Sequence, residues 1–243
     1  MLRPSSRASL GAVLFLGCSA SAFAQTADAP ENVVVTATHL AGGVSAQDTN
    51  VAVIDAGQIA ARQPSSVVEF LRDLPGVYVQ QSGDRGSVVS LFTRGAKPNF
   101  TLVLLDGVKA NDPTNTRGGS YDFSTLDLND IQRVEMVRGP ASAVYGSDAV
   151  GGVINIITRR GTPDLQAGLI AEGGSFGYWR AGGHVSGPIG GATANLGLSY
   201  NDSGMPVAGS NVKGTSLDGA LELPEIAGTT FSFNGRFGSS TAT

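Results

Sequence analysis

Beyond about residue 164 the sequence alternates, and that alternation constrains the fold more than any other feature of the chain. Leu165, Ala167, Leu169 and Ala171 interleave with Gln166, Gly168, Ile170 and Glu172. Ala194, Leu196, Leu198 and Tyr200 interleave with Thr193, Asn195, Gly197 and Ser199, and Phe231, Phe233 and Phe237 with Thr230, Ser232, Asn234 and Arg236. Successive side chains of a strand point to opposite faces, so each segment has one apolar and one polar face. The expected connections are the turn Gly173 to Gly177, then Pro188 to Gly191, a longer polar loop from Asn201 to Gly214, and Pro224 to Gly228. Meandering antiparallel strands of this kind, roughly five over 164–243, fit a transmembrane β-barrel. A soluble sandwich alternates too, and the exported context below favours the barrel. Lipid offers nothing to hydrogen-bond an open sheet edge, and about eight strands is the practical minimum for closure. The segment is therefore expected to be the opening part of a longer barrel.

The N-terminus supplies that context. Arg3 and Arg7 precede the apolar run Leu10 to Gly17, and Ala22-Phe23-Ala24 closes residues 1–24 as a cleavable secretory signal would. The run is too short to span a bilayer as a helix, and no later segment approaches that length. Cys18 is the one cysteine, so the mature chain is expected to have neither disulfide nor thiolate chemistry. Without Arg3 and Arg7, 14 basic residues remain against 20 acidic, a balance of −6. A nucleic-acid binder needs the opposite sign to neutralise phosphates, so no nucleic-acid partner is expected.

Residues 45–160 follow a different pattern, that of an α+β domain. QPSSVVEFLRDLPG offers Ser65 or Ser66 as a helix cap and Pro75-Gly76 as a stop. SVVSLFTRG, TLVLLDGVK and the run Val153 to Thr158 are near-continuously apolar, which predicts strands covered on both faces. Between Val137 and Arg160 the last of these follows a glycine-rich approach, whose glycines let the backbone turn where a Cβ would clash. No enzyme is expected. Gly173-Gly174-Ser175-Phe176-Gly177 has the letters of a nucleophile elbow, but alternating strands flank it and His184 is the one histidine downstream. His39 and His184 are far apart without ligand-like partners, so no metal site is expected either.

ENVVVTATHL, FLRDLPGVYV, LFTRG, LVLLDGVKANDP, IQRVEMVRGP and SAVYGSDAVGGVINIITRR, in that order, resemble the TonB-dependent outer-membrane receptors, and within them the cobalamin receptor branch. The resemblance implies a plug domain folded inside a barrel of about 22 strands. Ligand, a corrinoid or metal-chelate small molecule, would bind outside on plug and barrel loops. TonB would then engage a short N-terminal box and pull on the plug, with the barrel standing in outer-membrane lipid. That box falls in the leader 25–44, on Glu31, Asn32, Val33, Val34, Val35, Thr36, Ala37 and Thr38. A β-branched run at a free end suits strand addition, in which main-chain hydrogen bonds supply the grip.

By the same resemblance Arg94 and Arg138, beside Gly95 and Gly139, look like plug arginines that pair with barrel carboxylates. Two polar loops are the candidate ligand contacts: Gln81, Ser82, Asp84 and Arg85 in the first, and Asn111, Asp112, Thr114, Asn115, Arg117 and Tyr121 in the second. Cobalamin receptors of the family hold calcium with aspartates of early barrel loops. Asn201 to Gly214 offers only Asp202, whereas calcium takes about six to eight oxygens, which counts against calcium and cobalamin alike. No cofactor is expected. Two other readings remain open. A passive or adhesive barrel would need no TonB box, and a soluble periplasmic module would be released with the periplasm.

Overall fold

The computed structural model describes residues 51–242 except 63, 65, 84–86, 115–118, 124, 125 and 227. The expected signal (1–24) and leader (25–44) lie outside the described residues. Strand β1 (Val51–Asp55) leads into helix α1 (Ala56–Arg62) and helix α2 (Val67–Arg72). Of the two candidate caps it is Ser66 that acts: its backbone is extended and its hydroxyl accepts from the Glu69 N–H at 3.3 Å. Val67, Val68, Phe70 and Leu71 of this short helix are buried while Glu69 and Arg72 are exposed, so its position is set by packing and its first turn by the cap. Ser66→Ala is expected to remove about 1 kcal/mol of domain stability, read as a lower denaturant midpoint with an unchanged slope.

After the helix, β2 (Val77–Gln81) and β3 (Val89–Thr93) form a separate hairpin. Then come β4 (Thr101–Leu105), β5 (Val108–Lys109), β6 (Ile131–Arg138), helix α3 (Ser142–Tyr145) and β7 (Gly152–Thr158). These strands build a mixed sheet in the order β1-β6-β7-β4-β5, in which β4 and β7 run parallel and the other pairs antiparallel. The apolar β7 is covered on both sides, as its composition requires. Ile154 and Ile156 face the main core with Phe70, Leu71 and Met136, while Val153 packs with Leu102, Leu104 and Ala149 on the reverse. Asp106 ties the far end of β7, accepting from the Thr158 N–H at 2.9 Å and from its hydroxyl at 2.7 Å.

Five further strands make a second, wholly antiparallel sheet in the order β12-β11-β10-β9-β8. They are β8 (Gln166–Gly173), β9 (Trp179–Ile189), β10 (Ala192–Asp202), β11 (Val212–Glu222) and β12 (Ser232–Ala242). Their side chains sort by face as the alternation predicts. Leu169 is 93% exposed, and Leu196, Leu198, Phe233 and Phe237 are exposed with it, whereas Asn195 and Ser199 are buried. An eleven-residue strand at about 3.3 Å per residue, tilted by about 45°, rises about 25 Å, the height of the apolar band of a membrane barrel.

Two connections are shorter than the sequence suggests. β9 runs on through Pro188, which lies opposite Thr193, so the turn is only Gly190-Gly191. The proline is tolerated because β8 begins at Gln166, opposite Ser186, and beyond that point β9 has a neighbour on one side alone. The loop expected over Asn201 to Gly214 contracts to residues 203–211, since β10 and β11 stay paired to Asp202 and Lys213. Asp202 closes it, accepting from the Gly204 N–H and Asn211 Nδ2 at 3.0 Å each, with Lys213 Nζ 3.5 Å away.

Candidate functional site: the seam between the two sheets

The polar face of the antiparallel sheet meets the mixed domain at a short turn, Leu128–Asp130, which precedes β6. Asp127 starts that turn, accepting from the Asn129 N–H at 2.8 Å, and the same carboxylate reaches across to β9 and β10. Arg180 Nη2 lies 3.0 Å from Asp127 Oδ1, and the Ser199 hydroxyl donates to Oδ2. Three residues on, Asp130 pairs with Arg236 of β12 at 2.9 Å. Arg159, just past β7, holds the turn from behind: its N–H donates to Asp130 O at 2.8 Å and its Nε to Asn129 O at 2.6 Å. The approach is close because Gly182 of β9 has no side chain. A Cβ there would lie 2.3 Å from Asn129 Nδ2.

Charge burial makes this seam specific. Asp130 is 2% exposed, and its carboxyl is pushed up to about 8. Burial is the main cause, with a hydrogen bond to Asp218 of β11 next, while Arg236 pulls the other way and is outweighed. Taking both charges out of water is expensive, so an ion pair here fixes one docking geometry more than it adds stability. These aspartates and their strand arginines were not legible as a site in the sequence.

The candidate ligand loops are brought together at their bases. Val89 N–H, which follows the first loop, donates to Asp122 Oδ1 at 3.1 Å, at the end of the second. Gln81 lines a cleft of about 110 Å³ with Tyr178, Asn201 and Ser203, at the loop end of β9 and β10. Ser82 is exposed. Asn111 is buried and turned inward, its Oδ1 accepting from the Val103 N–H at 2.7 Å and its Nδ2 donating to Thr101 O and Gly119 O. It therefore shapes the base of the second loop. Asp112 accepts from both the Thr114 hydroxyl and N–H, and these bonds hold its carboxyl below the ordinary carboxylate range. Tyr121 packs edge-on against Phe123, centroids 5.1 Å apart. Asp84, Arg85, Asn115 and Arg117, like residues 31–38, lie outside the described residues.

Arg94 and Arg138 converge at one end of the mixed domain. Arg94 adopts φ 51° and is exposed. Its Nη1 lies 3.4 Å from the Cβ position of Gly139, the residue after Arg138. Gly173 to Gly177 is the β8–β9 turn, closed by Gly174 N–H to Tyr178 O at 2.9 Å. No group of three or more His, Cys, Asp or Glu side chains is placed to hold a metal among the described residues.

The comparisons agree with this architecture. Residues 44–153 match the TonB-dependent Receptor Plug Domain family. The chain is 38% identical over 168 residues to the Vitamin B12 transporter BtuB of Photobacterium profundum, a match covering 69% of this chain and 27% of that protein. Its fold is similar to the ferripyoverdine receptor of the outer membrane of Pseudomonas aeruginosa, with TM-score 0.73 and 21% identity over 85% of this chain and 27% of that one. The siderophore receptor PirA from Pseudomonas aeruginosa matches with TM-score 0.63 and 28% identity, covering 81% of this chain and 35% of the receptor. The chain thus spans between about a quarter and a third of the length of these relatives, which are transporters and receptors and not enzymes. With a plug domain matched in sequence and seated on the first antiparallel strands of a receptor barrel, the chain belongs to the TonB-dependent outer-membrane receptors.

Proposed function

We propose that this chain provides the plug and opening barrel strands of a receptor that imports a scarce, bulky nutrient across the outer membrane under TonB control. The ligand class is a corrinoid or a ferric siderophore. The observation that carries the reading is the seam: a folded plug held by partly buried ion pairs against the polar face of strands whose other face is apolar. Ligand would rest on the 81–85 and 111–121 loops, with Asn111 and Asp112 shaping the second and Gln81 at the cleft shared with the strand loops. Arg94 and Arg138 would meet carboxylates of the surrounding wall.

Coupling to TonB would run through Glu31 to Thr38, with Val33, Val34, Val35 and Thr36 added as a strand to the edge of a TonB sheet. Val34→Pro removes one ladder donor and the freedom to extend. A main-chain hydrogen bond contributes about 1 kcal/mol net, so TonB affinity is expected to fall about fivefold. Uptake of labelled cyanocobalamin or ferric siderophore should drop accordingly while ligand binding at the surface is unchanged. Uptake at the unaltered rate would favour a passive barrel instead.

A further inference from the structure

We propose that cargo crosses this receptor along one side of the plug, through the cavity between α1 and the strands β8 and β9. The proposal rests on the receptor reading above and adds to it the side and the residues of the route.

The cavity has a volume of about 600 Å³, within the range of about 300–1,000 Å³ that small-molecule sites occupy. It therefore takes part of a bulky nutrient as it stands and the whole only when widened. Small side chains flank it on both sides, Ala56 and Ala60 on the helix and Gly168 and Gly182 on the strands. The two glycines let the polar groups of this region lean along the sheet. A Cβ at Gly168 would stand 2.4 Å from the His184 ring, and one at Gly182 would stand 2.3 Å from Asn129 Nδ2. That Asn129 nitrogen is buried with no hydrogen-bond partner. It is a donor that an acceptor on passing cargo would satisfy once the helix moves aside.

The boundaries of the cavity differ in how firmly they are held. β8 and β9 are paired with each other from Gln166 to Gly173. The turn at Leu128 and Asn129 is pinned from both sides: Arg159 Nε donates to Asn129 O at 2.6 Å, and Arg180 Nη2 lies 3.0 Å from Asp127 Oδ1. Helix α1 has no such ties. Ile59 alone of its seven residues is buried. The helix follows β1 without a break, and Asp55 joins the two by accepting from the Gln58 N–H at 2.8 Å. β1 is in turn the marginal strand of its sheet, joined to β6 by five residue pairs. Parting those pairs takes strand and helix together and removes the helical side of the cavity, while its strand side stays. The contacts of the seam with β10 and β12, Ser199 to Asp127 and Arg236 to Asp130, are left in place.

Thiol chemistry tests the route, since Cys18 is the only cysteine in the sequence. Ala60→Cys puts a thiol on the helix side of the cavity and Ile170→Cys puts one on the strand side. Val144→Cys, at a residue 51% exposed on α3 and outside the cavity, is the control. Each full-length variant is modified in cells with alkyl methanethiosulfonates of increasing size and compared with the unaltered protein treated alike. Uptake of labelled cyanocobalamin or ferric siderophore should fall stepwise with adduct size at positions 60 and 170, to complete loss with the largest. Binding of the same compound at the cell surface should be unchanged, and adducts at position 144 should leave uptake intact. Undiminished uptake with the largest adduct at 60 or at 170 would overturn the proposal, as would an equal loss at 144. An unaltered protein that takes up neither compound would overturn the receptor reading as well.

Discussion

Gly152→Val is expected to eliminate the folded plug, lowering its stability by about 4 kcal/mol. Two independent effects add at this position. The backbone is at φ +149°, where a side chain other than hydrogen is strained by about 1–3 kcal/mol. A Cβ would also stand 2.6 Å from the carbonyl oxygen of Val137, on the neighbouring strand of the sheet. That obstacle is backbone and cannot swing aside, and overpacking of this kind costs about a further 1–3 kcal/mol. Limited proteolysis of outer-membrane fractions should show the domain cleaved from β6 to β7. Gly173→Ala, where a Cβ would meet nothing within 4 Å, serves as the control and should leave the plug intact.

The second large effect lies on the seam. Arg180→Ala leaves the partly buried Asp127 without its cation, and removing one partner of a fully buried pair costs about 3–5 kcal/mol. The Ser199 hydroxyl still donates to Asp127, which places the expected loss near the lower end, about 3 kcal/mol. Because the seam holds the plug in place, the loss should be visible as a leak: cells carrying the variant should become sensitive to vancomycin, which is too large for an occluded receptor. Pairing Arg180→Met with Asp127→Asn removes both charges and keeps an acceptor for the Asn129 N–H, so most of the barrier should return. A double variant as leaky as Arg180→Ala would mean that the ion pair itself, and not an orphaned carboxylate, governs seating.

The local features were readable because they depend on near neighbours. Period-two alternation marked β8, β10 and β12 before any pairing was known, and Ser65 or Ser66 marked the start of α2. Long-range features left no such trace. The parallel register of β4 with β7 joins Thr101 to Gly152, and nothing in either segment specifies the other. Asp127 with Arg180 and Asp130 with Arg236 are separated by 53 and 106 residues, and each looks like an ordinary solvated charge in the sequence. Asn111 shows the reverse case: a polar residue in a polar loop reads as a ligand contact, yet its amide is committed to three backbone groups. Gly190-Gly191 was blurred by Pro188, whose missing N–H suggested an earlier end to the strand than β9 has.

The order β1-β6-β7-β4-β5 has a mechanical meaning. The polypeptide enters this sheet at its margin and leaves from the middle, where β7 is flanked on both sides and continues within a few residues into β8. Traction applied upstream of Val51 loads the five rungs between β1 and β6 first. The central strand, moored to the membrane wall by the chain itself, is the last to feel it.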